Sequence, residues 1–122
     1  MLLNPIFACM PSAKQLADLN HLIGQFRFAE ALERHYHQDI VTIENEGQPT
    51  LGIAAYKIAM VKFVESVSDY SAKLHSAIVG NDISATEWHY KFKHTQWGDW
   101  DKVQISVQRW KDGKIIHERH YY

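Results

Sequence analysis

Apolar residues recur at every third or fourth position in three segments of the chain, which is the spacing of one buried face of an α-helix. The pattern predicts helices from residue 12 or 13 to 23, from 26 to 35 or 36, and from about 52 to 67, with Ser12 as a suitable N-cap for the first. The third segment has a clear amphipathic stripe, made of Ile53, Tyr56, Met60, Phe63, Val64 and Val67.

Alternation of apolar and polar residues replaces the helical spacing from Asp69 onward, and such alternation is typical of β-strands with one buried face. Strands are predicted over residues 70–79, 83–97, 100–110 and 114–122, separated by turns that contain Gly80, Gly98 and Gly113. An earlier strand over residues 39–45 is indicated by its β-branched content. Helices that largely precede an antiparallel meander indicate an α+β fold.

The final turn, Lys111-Asp112-Gly113, has two interpretations that bring different side chains together. If Asp112-Gly113 alone forms a two-residue turn, Trp110 pairs with Ile115 and shares a face with His117. If all three residues form a bulged turn, Trp110 pairs with Lys114 instead. The face that contains Gln104, Ser106 and Gln108 then also contains Ile116, Glu118 and His120. Composition alone does not separate these alternatives.

The final strand carries ionisable side chains at alternate positions where an ordinary strand would carry valine. Alternation places Glu118 and His120 on one face with Ile116 and Tyr122, and the opposite face receives Ile115, His117, Arg119 and Tyr121. A carboxylate and an imidazole side by side on a sheet need either water or a pocket, and we interpret them as part of a pocket. An imidazole beside carboxylates gains a proton more easily, which suits acid–base chemistry.

Composition and charge narrow the classes of partner. The 122 residues suffice for one domain, and the 13 basic and 14 acidic residues are mixed along the chain without a basic stripe. Nucleic acid and anionic membranes are therefore not expected as partners. No apolar run reaches the 18 residues expected of a membrane span. The single cysteine, Cys9, indicates a reducing compartment, so we expect a cytoplasmic protein. Residues 1–11 are expected to form an N-terminal arm on a domain that covers residues 12–122.

The eight histidines do not have the spacing of a metal site. His117 and His120 point to opposite faces of the predicted strand, and the two-histidine zinc motif needs a four-residue spacing on a helix. The six glycines all lie at predicted turns or helix ends, so no glycine-rich phosphate loop is present. We expect neither a metal nor another cofactor.

Three segments of the chain, in their order and spacing, resemble the SnoaL-like branch of the nuclear transport factor two-like superfamily. They are the segments YHQDIVTIEN at 36–45, GIAA at 52–55 and RWKDGKIIHE at 109–118, and the resemblance extends over about residues 12–122. It implies a cone: a strongly curved antiparallel sheet wrapped around the helices, with a pocket on its concave face. It also favours the bulged form of the last turn. Members range from ketosteroid isomerase and polyketide cyclases to non-catalytic binding proteins, so the fold implies where a site lies but not its reaction.

The resemblance implies roles for single residues. Glu44 corresponds to the base of ketosteroid isomerase, and His120 corresponds to the acid–base aspartate of the SnoaL cyclases. The two oxyanion donors of the isomerase, a tyrosine and an aspartic acid, correspond to positions near Asn20 and Ser106. Because those donors supply the main transition-state stabilisation, steroid-type enolisation is not expected here.

The leading hypothesis is a pocket in which Glu44 acts as a partly desolvated general base and Glu118 and His120 act as acid or orienting groups. The predicted lining is aromatic or hydrogen-bonding: Trp88, Tyr90, Gln104, Ser106, Gln108, Trp110 and Tyr122. Phe92 and His75 are further candidates, although Phe92 is equally suited to the core and the face of His75 is left open. Such a pocket suits a small apolar or aromatic molecule with a carbonyl-type group, and isomerase, cyclase or dehydratase chemistry.

The alternative hypothesis is a non-catalytic ligand-binding or dimeric interaction module, in which the same charged residues only organise the fold. An apolar outer face, formed by Val103, Ile105 and Val107 with Ile115 and Tyr121, would be exposed in a monomer. Many members of the family that the chain resembles are homodimers that pack their convex faces together, so a homodimer through this face is expected.

Overall fold

A computed structural model of the chain describes residues 13–122. The described residues form three helices, α1 (Ala13–Gly24), α2 (Phe28–His35) and α3 (Ile53–Ser66). They also form six strands, β1 (Tyr36–Glu44), β2 (Thr50–Leu51), β3 (Val67–Val79), β4 (Ile83–His94), β5 (Gly98–Lys111) and β6 (Lys114–Tyr121). The predicted order of elements is confirmed, with the short β2 as an addition. The predicted N-terminal arm, Cys9 and the Ser12 cap lie outside the described residues.

The six described strands form one open, curved sheet in the order β2-β1-β6-β5-β4-β3. Strands β3 to β6 form the predicted antiparallel meander, whereas β1 pairs with β6 in parallel. The prediction of a wholly antiparallel sheet is therefore corrected at this pairing, and the sheet is mixed. A parallel pair needs a long connection, and the segment between β1 and β6, which contains helix α3 and the four strands β2 to β5, provides one.

The apolar faces of the helices pack on the concave face of the sheet. Helix α1 buries Leu16, Leu19 and Leu22, which join a core that includes Trp88 of β4 and Ile115 of β6. The stripe predicted for α3 packs against this core through Ile53, Tyr56, Met60 and Phe63, but Val64 is exposed. Val64 follows Phe63 by about 100° around the helix, which turns its side chain away from the sheet.

The final turn combines features of both predicted forms. Asp112 and Gly113 both have positive φ, 53° and 78°, and Lys111 pairs with Lys114, so the turn has two residues and the three-residue form is wrong. A bulge is nevertheless present beyond the turn. Trp110 pairs with Ile115 but Arg109 pairs with His117, so Ile116 of β6 has no residue opposite it. This shift restores the predicted face, on which Gln108 is opposite Glu118 and Ser106 is opposite His120.

The same bulge changes the predicted outer face. Ile115 is completely buried in the core, so its placement on the outer face is wrong. Val103, Ile105 and Tyr121 are exposed there, and Val107 is partly buried. Among the described helices none is long and apolar enough to span a bilayer, since the longest has 14 residues.

Candidate active site

A cavity of about 430 Å³ lies between the concave face of the sheet and helices α2 and α3. Its walls are mainly aromatic and apolar, with side chains from the helices and from β4. One part of the lining is polar, and it comes from the C-terminal ends of β1 and β6 and from the middle of β5. The polar lining residues of these three strands are Thr42, Glu44, Gln104, Ser106, Gln108, Glu118 and His120.

Strand register places the polar side chains in two adjacent rows across the sheet. One row runs from β1 to β4 through Glu44, His120, Ser106 and Thr86. The second row runs through Thr42, Glu118, Gln108 and Ser84. Directly opposed residues have Cβ atoms about 4.5–5.5 Å apart, so each row is a continuous line of side chains that can form hydrogen bonds.

Glu118 is at the centre of the buried polar network. Its side chain is 1% exposed. The Tyr36 hydroxyl donates a hydrogen bond to Oε1 at 2.6 Å, and Gln108 Nε2 donates to Oε2 at 3.0 Å. Gln108 is held in turn by the Ser84 hydroxyl, which donates to its Oε1 at 2.7 Å. Both carboxylate oxygens therefore have donors, as a buried carboxylate requires.

His120 contacts polar groups through both ring nitrogens. Its Nε2 lies 3.4 Å from Oε1 of Glu118. Its Nδ1 lies 2.7 Å from the Ser106 hydroxyl oxygen and 3.2 Å from Nε2 of Gln104. The imidazole is therefore fixed in orientation between a carboxylate on one side and a hydroxyl on the other, with 12% of its side chain exposed.

The electrostatics favour ionisation of this pair. Burial opposes the charge on Glu118, but the neighbouring His120 and the hydrogen-bond donors outweigh burial, and the pKa of Glu118 lies below its ordinary value. Burial likewise opposes the charge on His120, but the attraction of Glu118, with a smaller one from Glu44, raises the pKa of His120. The two groups thus stabilise each other as an ion pair.

Glu44 lies at the mouth of the cavity and not inside it. It lines the same cavity and is the direct neighbour of His120 across β1 and β6, but its side chain is exposed. The expected desolvation of Glu44 is therefore not found. Tyr122 lies beside it, and burial followed by the Glu44 charge raises the pKa of Tyr122 to about 12.

The predicted aromatic walls divide into two groups. In the first group, Trp88, Tyr90 and Phe92 are buried and line the cavity. Tyr122 also lines the cavity but is exposed. Trp110 is buried but is not part of the lining, since its indole nitrogen donates at 2.9 Å to Ser84, which positions Gln108. The remaining predicted ligand-binding residues, Gln104, Ser106 and Gln108, all line the cavity.

Several lining residues were not predicted from the sequence. Tyr36 donates to Glu118, and burial followed by the Glu118 charge raises the pKa of both Tyr36 and Tyr56 well above the usual value. Thr86 is 2% exposed and lines the cavity, and its hydroxyl has no hydrogen-bond partner within residues 13–122. The alternation of β4, which places Thr86 on the same face as Trp88 and Tyr90, was the available signal for Thr86.

Other candidates lie away from the cavity. Asn20, near the position of the isomerase tyrosine, is buried on the other side of α1 and faces a groove beside β3. His75 is exposed on the outer face, where it stacks on His89 with ring centroids 6.1 Å apart. Within residues 13–122, no group of three or more potential metal ligands is close enough to hold an ion.

Comparison with known proteins gives a family and several similar folds. The SnoaL-like domain family matches residues 24–118. A protein from Mesorhizobium loti, provisionally assigned as a SnoaL-like polyketide cyclase, is 24% identical, with 90% of this chain and 97% of that chain covered and a TM-score of 0.78. An NTF2-like protein of unknown function from Cytophaga hutchinsonii is 10% identical, with 88% and 96% covered and a TM-score of 0.70.

A third similar structure contains a small ligand. It is a hypothetical protein from Catenulispora acidiphila with a ketosteroid isomerase-like fold, in complex with trimethylamine. It is 14% identical, covers 75% of this chain and 72% of that chain, and has a TM-score of 0.65. A comparison with curated proteins gives no match. The family match covers most of the chain and the structures share the cone with its helices: this chain belongs to the SnoaL-like domain family, within the NTF2-like fold.

Proposed function

We propose that the protein binds a small, largely apolar molecule in the cavity and transfers a proton to or from it, in an isomerase-, cyclase- or dehydratase-type reaction. The observation that carries this proposal is the buried Glu118–His120 pair in the wall of an otherwise aromatic cavity. A buried ion pair generally stabilises a fold no better than apolar residues of the same volume. A pair kept in a cavity wall, with shifted pKa values, is therefore a good candidate for a chemical role.

The roles follow from position. His120 carries the proton, and Glu118 holds the ring and stabilises its charge, with Tyr36 and Gln108 fixing the carboxylate. Glu44, the neighbour of His120 at the mouth, is the second base and stays accessible to water. The flat walls formed by Trp88 and Tyr90, whose rings stack 5.6 Å apart, hold an apolar or aromatic ligand with its polar group toward the rows of strand residues.

The first test is proton exchange on a bound ligand. Small cyclic ketones and aromatic carbonyl compounds are screened by thermal shift, and deuterium incorporation from heavy water at the carbon next to the carbonyl is followed by NMR for each ligand that binds. We expect His120→Asn to lower the exchange rate by about 10²–10⁴-fold, the usual contribution of a general acid–base group. Binding should change little, because the aromatic walls remain.

The matched comparison uses two glutamates. Glu44→Gln should slow exchange, while Glu65→Gln, at an exposed position on α3 away from the cavity, should not. Ligands that bind and show no enzyme-dependent exchange would contradict the proposed reaction and leave a binding protein.

A non-catalytic ligand-binding or interaction module is the second candidate, and one observation favours it. Every oxygen and nitrogen of Glu118 and His120 already has a partner inside the protein, so the pair could serve only to organise the cone. Under this alternative the cavity binds a ligand but His120→Asn changes only stability.

A homodimer through the outer face is also proposed, since Val103 and Ile105 are exposed side by side with Tyr121. We expect Val103→Lys combined with Ile105→Lys to raise the dimer dissociation constant by at least about 100-fold, because two charges would be desolvated in an apolar interface. Sedimentation velocity over a range of concentrations measures this change.

The control substitution is Ile58→Lys, which places the same charge on an exposed apolar residue of α3, on the other side of the molecule. A wild-type protein that is monomeric at micromolar concentration would refute the dimer. Loss of the dimer with Ile58→Lys alone would show that the interface is formed by the helices.

We also propose a cytoplasmic location for the protein, which the single cysteine supports.

A further inference from the structure

We propose that Ser106 is a nucleophile and that the cavity catalyses acyl transfer from small apolar esters, through an acyl-serine intermediate. The inference rests on the proposed function in one respect only, since it needs the cavity to admit a small apolar molecule. It does not require the proton-transfer reaction proposed above. The geometry that points to it is the line Ser106–His120–Glu118 along the cavity wall.

The three side chains have the connections that activate a serine. The Ser106 hydroxyl oxygen is 2.7 Å from Nδ1 of His120, and the other ring nitrogen is 3.4 Å from Oε1 of Glu118. A serine next to an imidazole, with a carboxylate on the far side of the ring, is the arrangement by which a hydroxyl becomes a nucleophile on many unrelated folds. In the serine–histidine–aspartate arrangement Nε2 faces the serine and Nδ1 faces the acid, whereas here Nδ1 faces the serine and Nε2 faces the acid. The same proton transfers are possible with the two nitrogens exchanged.

The contact of Gln104 with His120 indicates which protonation state of His120 reacts. Its amide nitrogen, which can only donate, lies 3.2 Å from Nδ1 and 3.3 Å from the Ser106 hydroxyl oxygen. In the ion pair, His120 carries a proton on each nitrogen. When Nδ1 loses its proton, it accepts hydrogen bonds from Ser106 and Gln104 while Nε2–H still points to Glu118. That neutral form is the one able to take the proton of Ser106.

Thr86 supplies the second feature that acyl transfer needs, a donor for the developing oxyanion. It is the direct cross-strand neighbour of Ser106, 2% exposed, and within the described part of the chain its hydroxyl has no partner. A buried hydroxyl without a partner is unfavourable, so an acceptor atom of a bound ligand would be stabilised there. Thr86 and Gln104 thus flank Ser106 with two donors.

A second buried serine shows why Ser106 is singled out. Ser84 of β4 is 2% exposed, about as buried as Ser106, and it lies on the same concave face of the sheet. Its hydroxyl, however, donates to Gln108 and accepts from Trp110, and it is not part of the cavity lining. Ser106 lines the cavity and has an imidazole as its partner.

The reaction balances with water as the only co-reactant. The Ser106 oxygen forms a bond to the ester carbonyl carbon as its proton passes to Nδ1 of His120, and the carbonyl oxygen becomes an oxyanion held by Thr86 and Gln104. The carbon–oxygen bond to the leaving alcohol then breaks, and His120 returns the proton to that alcohol. Water attacks the acyl-serine with the same proton transfers and releases the carboxylic acid.

The test uses para-nitrophenyl acetate, a flat aryl ester small enough for a cavity of about 430 Å³. Wild-type protein should gain one acetyl group by intact-protein mass spectrometry, and peptide mapping should place it on Ser106. Ser106→Ala should abolish the adduct and lower nitrophenol release by at least about 100-fold. Ser76→Ala, on the exposed side of β3, is the matched control and should react as wild type.

Thr86→Val separates a chemical role from a structural one. It removes the unpartnered hydroxyl at constant shape, so the protein should keep or gain stability. Loss of an oxyanion donor should nevertheless slow acetylation by about 10²–10³-fold. Normal acetylation of Thr86→Val would remove Thr86 from the proposal, and acetylation elsewhere, or none on Ser106, would overturn it.

The two proposals fail in different ways. If thermal shift or NMR shows aryl ligands in the cavity but no acyl-enzyme forms, the nucleophile is refuted and the binding function stands. If no ligand enters the cavity of a folded protein and no acyl-enzyme forms, both proposals fail.

Discussion

Replacing Glu118 with alanine should lower the free energy of unfolding by about 3–5 kcal/mol, the usual cost of breaking a buried ion pair on one side. The change leaves His120 without its carboxylate, and it removes the acceptor of the Tyr36 hydroxyl and of the Gln108 amide. Two buried donors and one cation would lose their partner at the same time. Urea denaturation followed by tryptophan fluorescence measures the loss.

The pH of that experiment follows from the shifted pKa values. The lowered pKa of Glu118 contributes stability above its unfolded value of about 4.5, and this contribution disappears as the pH falls through the folded value. The raised pKa of His120 contributes stability below its unfolded value of about 6.5, and this contribution is lost as the pH rises through the folded value. The pair therefore stabilises the fold most between about pH 4.5 and 6.5, and denaturation near pH 5.5 tests it best.

Two further variants show whether the pair itself is responsible. In a double-mutant cycle, Glu118→Gln and His120→Asn should have a coupling energy of about 1–3 kcal/mol near pH 5.5. Glu65→Ala, at an exposed position on α3, should change the free energy of unfolding by less than about 0.5 kcal/mol. A coupling energy near zero would mean that the two residues do not stabilise each other, which would contradict the ion pair at the centre of the site.

Raising the pH above about 10 should unfold the protein steeply, because buried tyrosines must stay protonated in the native state. Burial is the main cause that raises the pKa of four tyrosines around the described cavity: Tyr36, Tyr56, Tyr70 and Tyr90. Their unfolded pKa is about 10, so their contribution to stability is complete below that pH and is lost above it. Each tyrosine that ionises only in the unfolded state lowers the free energy of unfolding by about 1.4 kcal/mol per pH unit, so the four together lower it by about 5.5 kcal/mol per pH unit.

Urea midpoints measured from about pH 8 to about pH 11 give the slope of stability against pH directly. Tyrosinate absorbance, recorded in the same samples, shows whether ionisation coincides with unfolding. Tyr90→Phe should reduce the slope by about one quarter, since it removes one of four protons that only the unfolded state releases. Because Tyr121 and Tyr122 are exposed, only the ionisation of a third tyrosine in a protein that remains folded would show that the buried hydroxyls are accessible and that the cavity is open to water.

The elements of the fold follow from local patterns in the sequence. Amphipathic spacing is enough to predict α1 and α3, and alternation is enough to predict β4 and β5, because a helix or a strand at the surface of a core must present one apolar face. Alternation also places Glu118 and His120 on the same side of β6. The candidate pair of the site was therefore visible in the sequence, since residues two apart on one strand face are neighbours in any sheet.

Strand register, the depth of side chains and their hydrogen-bond partners depend on the tertiary structure and cannot be read from local patterns. The two-residue turn pairs Trp110 with Ile115 in the core, and the bulge between Arg109 and Trp110 keeps Glu118 opposite Gln108. One extra residue in a strand reverses every side chain that follows it. The parallel pairing of β1 with β6 brings Glu44 beside His120 from a segment more than 70 residues away, yet leaves it exposed at the mouth. Tyr36, which donates to Glu118, and Thr86, the cross-strand neighbour of Ser106, come from other strands for the same reason. Residue types and faces are local properties of the chain, whereas register, depth and hydrogen-bond partners arise only when distant strands meet.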